Sequence, residues 1–155
     1  MTPFTPERAA AGARWLAVGR AVLGISAMVA PELVGRSWIG AEADRTGSKV
    51  LARALGGRDV VIGLGTLTAM GEQENDDTLV SASRWIAFGG LADLADFAAT
   101  VLSWRKLPKA NRWLVAGLAG ASAVASLMMA AKLVEPEKEI EGFASVTFDE
   151  ESVSY

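Results

Sequence analysis

The chain has 155 residues, 51% of them hydrophobic, and a mean hydropathy of +0.28, which is more apolar surface than one soluble domain of this size needs for its core. A net charge of -3 leaves no basic footprint and excludes nucleic acid as a partner. Cysteine and histidine are both absent, so disulfides, thiolate nucleophiles, His-ligated haem, the usual zinc sites and imidazole acid–base work fall away; no metal and no cofactor is expected, and any chemistry rests on carboxylates, arginines, lysines and hydroxyls.

The first apolar run, Trp15 to Val34, is interrupted by charge only at Arg20 and Glu32. Its arginine-bearing start has the outline of a signal peptide, but Arg20 breaks the apolar centre, so it reads as a retained helix. A basic connection, "GRSWIGAEADRTGSKV", leads to a second run over 50–70, where Arg53, Arg58 and Asp59 fall in the first half. "GEQENDD", acidic and without a base, precedes the third run, 85–104, whose only charges are Asp93 and Asp96. The basic "RKLPKANR" then opens a fourth run, 113–133, of which Leu114 to Ala131 carries no charge and approaches the ~20 residues of a membrane helix. Beyond it, 135–155 is an acidic tail, solvated by default.

The expected fold is therefore all-α: a four-transmembrane-helix bundle over 1–134 followed by the tail. Trp15, Trp38, Trp85, Trp104 and Trp113 fall at or near the ends of the runs, as rings that settle at headgroup level do. With four spans, both basic connections share one face, and the acidic connection shares the other with both termini. The positive-inside bias then predicts a multi-pass cell-membrane protein with extracytoplasmic termini, against a weak counter-signal from Arg8 and Arg14.

Helix counting places Arg58 and Asp96 at one depth, about 12 Å from the basic face at 1.5 Å per residue. Arg53 lies near enough to that face to snorkel, and Arg20 and Arg84 lie toward the opposite surface. Gly56, Asp59 and Gly63 share a face of the second run, where another backbone can come close. Gly89, Asp93, Asp96 and Thr100 form a polar stripe on the third, and Arg20, Gly24 and Ala27 share a face of the first. A charge facing lipid costs at least ~2.5 to 3.5 kcal/mol, so Arg20, Arg58, Asp59, Asp93 and Asp96 are expected to turn inward and pair.

Such a network has three readings: it fixes helix register alone, it is a ligand or proton site, or it binds a partner subunit. Under the second reading Asp93, Asp96 and Asp59 are the candidate catalytic groups, because two close carboxylates can share a proton. Gly63-Leu-Gly65 and Gly117-x-x-Gly120 have glycine spacing like a nucleotide loop but lack its strand and its acidic ribose contact. Ala116, Ala119, Gly120 and Ala123 read instead as a helix-packing face.

The stretches "ARALGGRDVVIGLG" and "GGLADLADF" resemble short four-helix integral membrane proteins of unassigned function common in actinobacteria, over about Arg14 to Leu133; a fainter similarity is to DoxX-like membrane proteins. The resemblance implies the architecture and carries no catalytic residue. Two functions follow as expectations. One is a non-enzymatic accessory or interaction subunit that binds a protein partner or itself. The other is a binder, transporter or acid–base enzyme for an amphipathic small molecule. A polar, ligand-sized cavity at Asp93 and Asp96 would favour the second, and a dry, fully paired cluster the first.

Overall fold

The computed structural model describes residues 4–71, 76–109 and 111–134; the acidic tail and most of the acidic connection lie outside them. Among the described residues the chain is all-helical, without strands: α1 (Pro6–Val29), α2 (Pro31–Ile39), a 3-10 turn (Gly40–Asp44), α3 (Thr46–Ala69), α4 (Asp76–Leu102) and α5 (Arg112–Leu133).

The largest departure from expectation is in the first run. α1 begins at Pro6, nine residues before Trp15, because Thr5 caps it: the Thr5 hydroxyl accepts the Arg8 N–H at 3.4 Å and proline occupies the first turn. It stops at Val29 rather than Val34. Pro31 has no N–H to continue the ladder and forces Ala30 out of helical geometry, to φ -128 and ψ 64. The chain restarts there as α2, so much of the expected basic connection is itself helical. Gly40, at φ 65, ends α2 in a conformation that a side chain would strain.

Large apolar side chains point out and small ones point in. The buried face of α1 is Ala9, Ala13, Ala17, Ala21, Gly24 and Ala27, whereas Val29, Leu102, Trp15 and Trp113 are 78%, 88%, 77% and 70% exposed. That inverts the usual sorting of a water-soluble domain and matches helices that associate through small residues in apolar surroundings. Three helices, Pro6–Val29, Thr78–Leu102 and Arg112–Leu133, are long and apolar enough to cross a membrane. α3 is as long as α1 but carries Arg53, Arg58 and Asp59.

α1 packs most extensively on α3, and α4 on α5; α3 against α4 and α1 against α5 close the ring. The α1–α3 seam is antiparallel and backbone-tight. A Cβ placed on Gly24 would lie 2.5 Å from the Gly56 carbonyl oxygen, one on Gly56 equally close to that of Gly24, and one on Gly63 2.7 Å from that of Ala17. Each helix also caps its neighbour's end: Arg14 donates to the Met70 carbonyl at 3.0 Å and Arg53 to that of Met28 at 3.2 Å. Arg14 is thus accounted for by helix capping. Toward the termini the interior is apolar, built on Ala13, Ile86, Ala130 and Leu133.

Candidate functional site: an inward charge relay beside a cavity

The five charged residues singled out in the sequence meet in one line across the middle of the bundle. Arg20 on α1 donates to Asp59 Oδ1 on α3 at 3.1 Å and to Asp93 Oδ2 on α4 at 2.5 Å, with a further bond to the Gly89 carbonyl at 3.2 Å. Arg58 grips Asp96 with both terminal nitrogens, at 3.3 and 2.9 Å, and turns Nε and Nη2 to Asp59 Oδ1 at 3.2 and 3.1 Å. Asp59 is therefore the hinge between two arginines on different helices.

Local sequence explains how the line forms. Gly24 and Gly56 let α1 and α3 approach until Arg20 reaches Asp59. Gly89 leaves room on α4 for the Arg20 guanidinium, whose nearest atoms would lie 3.3 Å from an added Cβ. The polar stripe on α4 delivers both acceptors three residues apart, on adjacent turns. Arg20 sits nine residues before the end of α1 and Asp93 nine before the end of α4, about 14 Å from the ends of two helices that run the same way. The expectation that Arg20 lies toward the opposite surface is corrected by the true bounds of α1, which put it mid-helix.

Arg58 pairs with Asp96 and not with Asp93, which belongs to Arg20. No carboxylate of the network hydrogen-bonds another; each meets a guanidinium, so a shared carboxyl proton is not what the geometry provides. Ser122 on α5 was missed by sequence reasoning and donates to Asp93 Oδ2 at 2.5 Å, bringing the fourth helix into the network. Its signal was present: a hydroxyl in a charge-free apolar run needs a partner inside. Trp38 and Thr100 were also seen only in part. The Trp38 indole N–H donates to the Thr100 hydroxyl at 3.1 Å, which donates to the Asp96 carbonyl at 2.7 Å, so α2 is tied to the turn that bears Asp96. Thr100 is 1% exposed. Arg53 and Arg84 are exposed and outside the network.

Beside the Arg58 end lies a cavity of about 600 Å3. Its walls are apolar, from Leu23 and Ala27 on α1, Trp38 and Ile39 on α2, Leu51 and Leu55 on α3, and Ala99 on α4, and it is half open, with Leu23 and Leu51 53% and 60% exposed. Arg58, Asp59 and Asp96 are its charged lining; Arg20 and Asp93 do not border it. Among the described residues no group of three metal-ligating side chains gathers.

Comparison with protein-family models, curated proteins and solved structures gave no match at significance.

Proposed function

We propose that the protein is a four-span membrane protein that binds an amphipathic small molecule in the cavity between α1, α2, α3 and α4. α3 serves as the fourth span: Arg58 and Asp59 meet partners inside the bundle, and Arg53 reaches the end of α1, so the charges that lower its hydropathy do not need to face lipid. A multi-pass fold of the kind seen in the actinobacterial four-helix proteins, with the basic connections in the cytoplasm and the termini outside, accounts for the inverted burial and the charge asymmetry together.

The observation that carries the binding reading is the cavity: a mostly apolar chamber of about 600 Å3 with a few convergent polar groups has the size and lining of small-molecule sites. Untargeted mass spectrometry of material purified in mild detergent tests it. A small molecule should copurify with the wild type and be lost in Ala52→Phe, which fills the cavity; identical profiles would count against the reading. Single cysteines at Lys106 and Asp76, probed with an impermeant reagent in intact cells, test the topology. Labelling at Asp76 alone is expected.

The accessory-subunit reading stands second. It is favoured by Gly117 and Ala121 on α5, which are exposed at small-x-x-x-small spacing on the bundle's outer surface. A Gly117→Leu variant that shifts the oligomeric state in detergent would support it.

A further inference from the structure

Resting on the binding reading, we infer that the cavity selects a lipophilic cation, an apolar body carrying one protonated amine that docks on Asp59. Two guanidinium cations face three carboxylates in the network, leaving one negative charge in excess. That excess sits next to the cavity, because Asp59 and Asp96 line it and Arg58 is the only cation that does among the described residues.

Hydrogen-bond capacity points the same way. Arg58 already directs four of its five N–H donors at Asp59 and Asp96, so an incoming anion finds a single remaining Nη1 donor and meets two carboxylates on arrival. Among the described residues all three donors to Asp59 converge on Oδ1, and none is directed at Oδ2. An ammonium group brings donors to that free oxygen and neutralises the excess charge in one step, in a setting only 14% exposed where Coulomb attraction is weakly screened. The surrounding leucines and alanines, with Trp38 beside them in the lining, suit an apolar body rather than a second polar end.

The test titrates the full chain in zwitterionic nanodiscs with three probes of one shape: 6-phenylhexylamine, 6-phenylhexanol and 6-phenylhexanoate, with empty nanodiscs subtracted and Trp38 fluorescence as the readout, in a background where the other four tryptophans are phenylalanine. The amine should bind at least tenfold more tightly than the alcohol or the carboxylate, and Asp59→Asn should abolish that preference while the alcohol is held as before. Since Asp59→Asn also touches the network, Ala52→Phe serves as an independent variant with every charge in place, and it should lose all three probes. An alcohol or carboxylate that binds as well as the amine overturns the cation inference and leaves the binding reading standing. No probe binding above empty nanodiscs, or binding unchanged in Ala52→Phe, overturns both.

Discussion

The two ends of the charge relay use the same chemistry in different surroundings. At one end Arg20 and Asp93 are 11% and 12% exposed, closed in by the Gly89 carbonyl and by Ser122 from α5. At the other Arg58 and Asp96 are 28% and 23% exposed and border the cavity. The first end joins three helices and has nowhere to admit a ligand. The second holds a bidentate pair where an incoming group can reach it. A buried ion pair adds little net stability but costs heavily when broken; under the binding proposal the closed end would fix register and the open end would be where a ligand acts.

The sharpest way to break this contrast is to remove each arginine in turn. Arg20→Leu leaves both Asp59 and Asp93 without their α1 partner in a closed interior, and should cost about 3 to 5 kcal/mol, the range for stranding one member of a buried pair. Arg58→Leu should cost about half as much, because Asp96 can take solvent from the cavity and Asp59 keeps Arg20. Thermal unfolding in mild detergent measures both. Equal losses would show that the two ends are energetically one. Arg58→Leu combined with Asp96→Leu should recover part of the single losses through their coupling, whereas additive losses would mean that the pair contributes nothing as a pair.

The identities of the network residues were legible in the sequence, since a charge in an apolar run must turn inward and the glycine spacing marks where helices can meet. The meeting of Arg58 with Asp96 was legible too, from their equal depth, whereas the pairing of Arg20 with Asp59 and Asp93 was not. It depends on where α1 ends, and the apolar run continues past Val29 through Ala30 and Pro31, so composition placed the end five residues late and Arg20 too near the far surface. The cavity was hidden for a related reason. α2 was divided between the end of the first run and the basic connection, although Trp38 and Ile39 line the cavity from it. Arg36 pairs with Asp44 at 2.9 Å, so charges that marked this stretch as a loop stabilise its folded form. All-helical architecture survived these errors because it rests on long apolar runs rather than on their ends.

The close α1–α3 approach is what brings Arg20 to Asp59, and a methyl group can test it. Gly56→Ala places a Cβ about 2.5 Å from the Gly24 carbonyl oxygen, a backbone atom that can move only if the helices separate. Overpacking of this kind costs about 1 to 3 kcal/mol, and separation should also lengthen the Arg20–Asp59 contact, so coupling between those two residues in a double-mutant cycle should fall. Gly117→Ala is the control: nothing lies within 4 Å of its added Cβ, and replacing a mid-helix glycine should stabilise by about 0.5 to 1 kcal/mol. Similar effects at both sites would show that the tight seam yields freely.

The smallest effect should come from Trp38, and it should be confined to the open end. Trp38→Phe keeps a six-membered ring beside the cavity and removes the indole N–H that donates to Thr100 together with part of the ring contact. Thr100 is not stranded, because its hydroxyl still donates to the Asp96 carbonyl one turn back. The loss should therefore be that of one neutral hydrogen bond and some ring contact, about 1 to 2 kcal/mol, well below the cost of removing Arg20. What changes more is the tether: α2 is no longer fastened to the turn of α4 that carries Asp96, so this wall of the cavity opens more often. Hydrogen exchange should quicken across Pro31–Ile39 and stay unchanged along α5, where Ser122 holds Asp93 at the closed end. Faster exchange along both would mean that the two ends of the relay move together, and that the boundary between a fixed half and a working half does not exist.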